Sequence, residues 1–285
     1  MRVGKLYPYM FLLPTLLILV ILWAYPLFEL IYLSFYNLSM ITPFAELKFV
    51  GFRNYLTFLN SAEAVSVTIV TIKIILLTMS LSLSVAMVTA LTMKRFANRF
   101  VRSVIVAPYA IPTVVTSMVF LWMLQPTSGV LSYLLYLLTG IRADTFSDPL
   151  MALIGVSLAF VWKYYPFSTL ILLAAFESVP QELYEAADLD GASEPQGFLH
   201  ITLPSIRAPL GLLILILFIN GFQCFDVIYI MTAGGPGLAT ENMVIYLYHT
   251  AFVSFKTSYS SAIAVITTAV MFLAALLYLH FARLD

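Results

Sequence analysis

Six stretches of the chain stay apolar long enough to cross a membrane: residues 9–34, 66–93, 103–124, 150–176, 208–231 and 258–281, with polar segments between them. A helix needs about 20 mostly apolar residues to cross roughly 30 Å of hydrocarbon, and in lipid it satisfies its backbone groups internally. The pattern therefore predicts an all-α integral membrane protein with six transmembrane helices, in one domain over residues 1–285. Two connecting segments have patterns of their own. Val50–Asn60 mixes aromatic and polar residues as an interfacial helix does. Val130–Leu138 is a second apolar run, too short to span, and reads as an external or re-entrant helix. No internal repeat, low-complexity tract or domain linker interrupts the series.

Composition agrees and excludes other classes. Hydrophobic residues make up 62% of the chain and charged ones 10%, against about 45–50% and about 25% in soluble proteins; a soluble core of this size would lack a polar coat. A net charge of zero gives no general attraction to nucleic acid. A single cysteine, Cys224, excludes an internal disulfide, and His200, His249 and His280 show no metal-ligand spacing. The apolar run after Lys5 stays uncharged until Glu29, too long for a signal-peptide core, and is expected to stay on the chain as a span.

Basic residues set the expected orientation. With the N-terminus inside, the cytoplasmic segments hold Arg2, Lys5, Lys94, Arg95, Arg99, Arg102, Arg207 and Arg283, and the outer ones only Lys48, Arg53, Arg142 and Lys256. Both termini are therefore expected in the cytoplasm.

The segment between the fourth and fifth spans, residues 178–204, would then be cytoplasmic. Ser178 with Gln181, and Ser193 with Gln196, fit two capping boxes, with Pro180 and Pro195 in the first turns. Gly191 stands where a helix end takes a left-handed residue, and Pro204 and Pro209 reset the chain for the next span. The expected product is a helix–glycine–helix elbow carrying Glu182, Glu185, Asp188, Asp190 and Glu194. A solvated acidic loop would have the same composition.

The elbow also resembles a known family. Glu185-Ala186-Ala187, then Gly191, Ile201 and Leu203-Pro204 reproduce, at every fixed position, the EAA-loop signature of ABC importer permeases. The pieces FLLPTLLILVILWAYPLFELIYLSF, FVGFRNYLTFL, VWKYYPFSTLILLAAFESVPQELYEAADLDGAS and FDVIYIMTAGGPGLATENMVIYLYHTAF are similar to the sugar-permease branch of maltose-type permeases. The resemblance implies that the elbow is a coupling helix docked on a cytoplasmic ATPase, with Glu185 as its charged contact and Gly191 as its bend. It further implies a second homologous permease subunit, two cytoplasmic ATPase subunits and an extracytoplasmic sugar-binding protein, in the cytoplasmic membrane of a bacterium or archaeon. The chain contains no G-x-x-x-x-G-K-[ST] phosphate loop. No cofactor is therefore expected on it, ATP and Mg sit on the partner ATPases, and no catalytic or metal site is assigned.

Ionisable groups at bilayer depth are candidates for function. Phe160, Lys163, Tyr164 and Phe167 share one face of the fourth span, and aromatic rings with one charged donor suit a sugar. The fifth span offers Asn220, Gly221, Cys224, Phe225 and Asp226, where Gly221 would permit close approach of a substrate to the backbone. The resemblance implies substrate contacts in these parts of both spans. Lys163 paired with Asp226 for structure alone is equally compatible with the sequence. Gly234-Gly235-Pro236-Gly237 resembles the family's outer GGP turn, and an ordinary turn would have the same composition.

The expected function is the membrane-spanning subunit of an ATP-driven carbohydrate importer. One rival is the same architecture importing glycerol phosphate or peptide; the other is an ion-coupled secondary transporter, for which the inverted repeats and midplane acids are not visible.

Overall fold

A computed structural model of the chain describes residues 7–39, 47–96, 99–140 and 144–282. Of the basic residues that set the expected orientation, Arg2, Lys5, Arg142 and Arg283 lie outside the described residues. The chain divides into two compact units: Met1–Val65 with Leu247–Val270, and Ser66–Tyr246 with Met271–Asp285.

In the first unit, α1 (Phe11–Ser34) is the first span. It widens to a π turn over Val20–Ala24 because Pro26 has no N–H for the carbonyl four residues back, and the Tyr25 N–H reaches Val20 instead. Residues 11–29 are all exposed within the chain, as suits a helix that only lipid or another subunit can cover. The expected interfacial helix forms as α2 (Arg53–Leu59). Asn54 Nδ2 donates to the carbonyls of Ser34 and Tyr36, each at 2.8 Å, which satisfies the end of α1. A short antiparallel ribbon pairs Tyr36–Asn37 with Lys48–Phe49; the hydropathy pattern carried no sign of it.

The second unit opens with α3 (Ala62–Phe96), whose first residues belong to the first unit. Ser61 Oγ accepts from the Ala64 N–H at 3.1 Å, and Lys94 and Arg95 lie in the last turn against the negative end of the helix dipole. At about 1.5 Å per residue its 35 residues reach beyond the hydrocarbon.

The expected third span, 103–124, is not continuous. It is a pair, α4 (Arg99–Ala110) and α5 (Thr113–Met123), bent by 92°. Pro112 forces Ile111 away from helical geometry and removes an N–H, and the chain leaves it at ψ 140°. The short apolar run forms α6 (Val130–Thr139). The fourth span, α7 (Pro149–Glu177), is capped by Asp148, whose side chain accepts from Met151 N–H at 2.8 Å. The elbow follows as α8 (Gln181–Leu189) and α9 (Glu194–Gly197), continued by helical turns to Ser205. The fifth span is α10 (Arg207–Phe222) and α11 (Asp226–Met231), interrupted at residues 223–225. After α12 (Met243–Tyr248), α13 (Thr257–Ala282) forms the sixth span. Among the described residues, five helices therefore have the length and apolarity to span, six with the bent pair.

Two buried clusters organise the second unit. One joins Ile74, Phe120, Val156, Phe160, Cys224 and Ile228, beside both interrupted spans. The other joins Ala86, Ala90, Met93, Leu172, Phe176, Ile206 and Leu213, with Tyr184, Phe198 and Ile201 of the elbow packed on it.

Candidate functional site: the elbow and two interrupted spans

The elbow has one expected cap and lacks the other. Ser178 Oγ donates back to the Ala175 carbonyl at 2.7 Å, and Pro180 takes the N-cap position of α8, so the first capping box does not form. Two residues before the cap, Ser178 still belongs to the end of α7. The second box closes: Gln196 Oε1 accepts from the Ser193 N–H at 2.8 Å and from its hydroxyl at 3.0 Å. Gly191 has φ +75° and ends α8 in a Schellman motif, with Ala192 N–H on the Ala187 carbonyl at 2.9 Å and Gly191 N–H on Asp188 at 3.1 Å. A Cβ there would meet nothing within 4 Å, so the backbone angle alone demands glycine.

These caps fix which way α8 faces. Glu182, Glu185, Ala186 and Leu189 are exposed, Leu189 at 90%, whereas Tyr184 and Ala187 are half-buried. An exposed leucine flanked by carboxylates on a rigid short helix is a ready contact surface. Ile201 and Leu203 are half-buried, and Pro204 is exposed where the chain turns into α10. Two inward residues were not singled out in the sequence, Tyr184 and Thr202. Their hydroxyls are 2.7 Å apart, and Thr202 is buried.

Lys163 sits at the bend of the third span. Its ammonium donates to the Tyr109 carbonyl at 2.7 Å and to the Ile111 carbonyl, and lies 5.0 Å from the centre of the Tyr109 ring. At 7% exposure it is a cation placed on the carbonyl end of α4, where the helix dipole favours it and the bend leaves acceptors free. No ion pair with Asp226 forms, and Asp226 is exposed. The carboxylate-partner alternative is corrected: the partners are backbone carbonyls.

The interruption of the fifth span has a different staple. Asn242, fully buried, donates from Nδ2 to the carbonyls of Phe222 and Cys224, each at 3.3 Å, and accepts the Ile245 N–H on Oδ1 at 3.0 Å. It follows the Gly234–Gly237 turn, where Thr240 Oγ1 donates to the Gly235 carbonyl at 2.8 Å. In the sequence Asn242 is only the last of three polar residues, after Thr240 and Glu241, before the apolar run from Met243.

The remaining candidates are partly gathered. Phe160 and Cys224 are buried in one cluster, with Tyr164 and Phe225 packed on it; the Phe160 and Tyr164 rings are 4.4 Å apart. Phe167 stacks on Tyr109 at 5.0 Å. Asn220 donates to the Ile216 carbonyl of its own helix at 2.9 Å. Gly221 is corrected: a Cβ there would meet Thr78 Oγ1 at 3.1 Å, so its lack of a side chain admits α3, not a substrate. No group of three metal-ligating side chains occurs among the described residues.

Residues 82–284 match the family described as binding-protein-dependent transport system inner membrane component. The chain belongs to that family. It is 31% identical over 277 residues to the trehalose/maltose transport system permease protein MalF of Thermococcus litoralis, covering 96% of this chain and 93% of that one. It is 30% identical to the sulfoquinovosyl glycerol transport system permease protein SmoG of Agrobacterium fabrum, covering 98% and 91%. The fold matches that of a chain in a bacterial ABC transporter involved in the import of the acidic polysaccharide alginate, with TM-score 0.80, 22% identity and coverage of 96% and 94%. The family member is thus an ABC-transporter permease, a multi-pass transport component rather than an enzyme.

Proposed function

We propose that this permease is the membrane-spanning subunit of a carbohydrate importer in a cytoplasmic membrane, with both termini inside and the elbow acting as its coupling helix. The carrying observation is the elbow's two-faced build. Glu182, Glu185 and Leu189 face outward from a helix with a Schellman end and a closed second box. A rigid lever passes on a partner's movement, and a loose loop absorbs it. The partner is a pair of ATPase subunits holding ATP and Mg, since this chain has no phosphate loop. A second permease completes the pathway, and an extracytoplasmic binding protein delivers the sugar.

The carbohydrate assignment rests on relatives named for trehalose/maltose and sulfoquinovosyl glycerol transport, and on the rings Tyr164 and Phe225 and the polar groups Asn220 and Asp226, all exposed or half-buried. Rings stack on the apolar faces of a sugar while amide and carboxylate bind its hydroxyls. Lys163 acts behind this lining rather than in it, because it is buried and two of its three donors are engaged by carbonyls.

Glu185→Lys tests the coupling role. Uptake should vanish while the protein still inserts and assembles; normal uptake would overturn the assignment. A ligand screen on the binding protein that co-purifies with the complex tests the solute, and binding of peptides without sugars would overturn it.

A further inference from the structure

The coupling reading leaves open how a push on the elbow reaches the spans, and the geometry points to three residues. We propose that Lys94, Tyr184 and Thr202 form the linkage that ties the elbow to the spans and carries its displacement to them. They act as positioning residues for transport. The inference rests on the elbow being the coupling helix.

α8 has no fully buried residue of its own, and Tyr184 is its one side chain packed on the second cluster. Across from it, a cavity of about 750 Å³ lies between the end of α3 and the elbow, lined by Leu91, Lys94, Arg95, Ala187, Asp188 and Pro195 among others. Packing cannot transmit a displacement through open space. One contact crosses it, and two more anchor that contact at its ends. The Lys94 ammonium lies 5.0 Å from the centre of the Tyr184 ring and donates to the Phe176 carbonyl at 3.2 Å, one residue from the end of α7. The Tyr184 hydroxyl is 2.7 Å from Thr202 Oγ1, and the Thr202 carbonyl accepts the Ile206 N–H that begins the fifth span. One ring thus joins the ends of the second, fourth and fifth spans to α8. Its neighbours add little: Arg95 and Glu194 are 3.9 Å apart with side chains 67% and 87% exposed, a weak pair in water. Phe198 packs on Phe176 of α7, but it follows the elbow bend at Gly191 and is not part of α8.

The test uses the complete transporter, with its second permease and ATPases, in proteoliposomes with the binding protein and its sugar. The readout is solute moved per ATP hydrolysed, together with the amount of assembled complex. Lys94→Met and Tyr184→Leu should each lower the ratio about fivefold or more, while Lys94→Arg, which keeps the cation, stays near wild type. Tyr184→Phe removes one oxygen and Thr202→Val replaces one with a methyl, so the shape of the elbow is nearly kept. Both should lower the ratio by a similar smaller factor, and the double variant should be no worse than either single one, because both remove one hydrogen bond. Glu185→Lys separates this inference from the reading beneath it. If Glu185→Lys transports normally, the coupling reading fails. If Glu185→Lys stops transport while Lys94→Met, Tyr184→Phe and Thr202→Val keep the wild-type ratio, the linkage is overturned and the coupling helix stands. Less assembled complex at an unchanged ratio would make the three residues structural only, and would also overturn the linkage.

Discussion

Two spans of the second unit are interrupted, and they are held open by different means. At the third-span bend the cause is local and covalent: Pro112 cannot donate and displaces Ile111 from the helix. The freed carbonyls of Tyr109 and Ile111 then take a charged donor, Lys163, from the fourth span. In the fifth span no proline intervenes. Phe222 gives way to a tight turn in which Phe225 N–H reaches the Gln223 carbonyl at 2.6 Å, and the neutral amide of Asn242 caps the carbonyls on both sides. The first bend would persist if its staple were removed, with two carbonyls stranded. The second could close into continuous helix and recover its own hydrogen bonds. A staple is thus indispensable where the chain cannot heal, and chiefly sets conformation where it can.

Removing the staples in turn tests that contrast. Lys163→Met should cost the most, about 3 kcal/mol, because it deletes two charge-assisted bonds and leaves the two bend carbonyls without their donor. The check is the thermal-inactivation midpoint of the purified complex. Asn242→Leu should cost about 1–2 kcal/mol, since the bonds at 3.3 Å are long and the helix has an alternative. Its larger effect should fall on transport, because residues 220–226 would be re-aimed as the span straightens. A loss of stability equal to that of Lys163→Met would break the comparison.

Adding a second change sharpens it. Pro112→Ala in the Lys163→Met background restores an N–H and lets Thr113 and Val115 donate along the helix to the stranded carbonyls. We expect it to recover about 1 kcal/mol of the loss, a departure from additivity measurable by double-mutant cycle. Strict additivity would mean that the bend is held by packing, with the proline incidental.

How much of this was legible in the sequence follows the same division. The spans were, because a hydropathy run integrates over about 20 residues and tolerates local error. So was Gly191, whose positive φ is a local demand. The bend was missed although Pro108 and Pro112 are in plain view: a window average sees their apolar neighbours and not the lost N–H. Lys163 was marked as costly, but its partners are main-chain carbonyls, which every residue carries and no sequence distinguishes. Asn242 lies about 20 residues from the carbonyls it caps, and nothing local brings them together. The failed box at Ser178 has a simpler cause: α7 ends on Ser178, and Pro180, not the serine, begins the next helix.

The smallest expected effect asks whether the fifth-span interruption is placed by Asn242 alone. Gly221 stands one residue before the last of α10, and a Cβ there would meet Thr78 Oγ1 at 3.1 Å and the Ile75 backbone at 3.5 Å. Thr78 cannot swing aside freely, since its hydroxyl donates to the Ile74 carbonyl at 2.6 Å. Gly221→Ala gains about 0.8–1 kcal/mol of helix propensity and, with only one atom closer than 3.4 Å, loses about 1–2 kcal/mol to crowding, for a net cost of about 1 kcal/mol or less. In a Thr78→Ala background the crowding atom is gone and the propensity gain remains, so the same substitution should become neutral or slightly stabilising. If that happens with transport intact, close packing on α3 merely accompanies the interruption, and Asn242 places it. If transport fails although stability has risen, α10 must approach α3 this closely for the fifth span to break where it does.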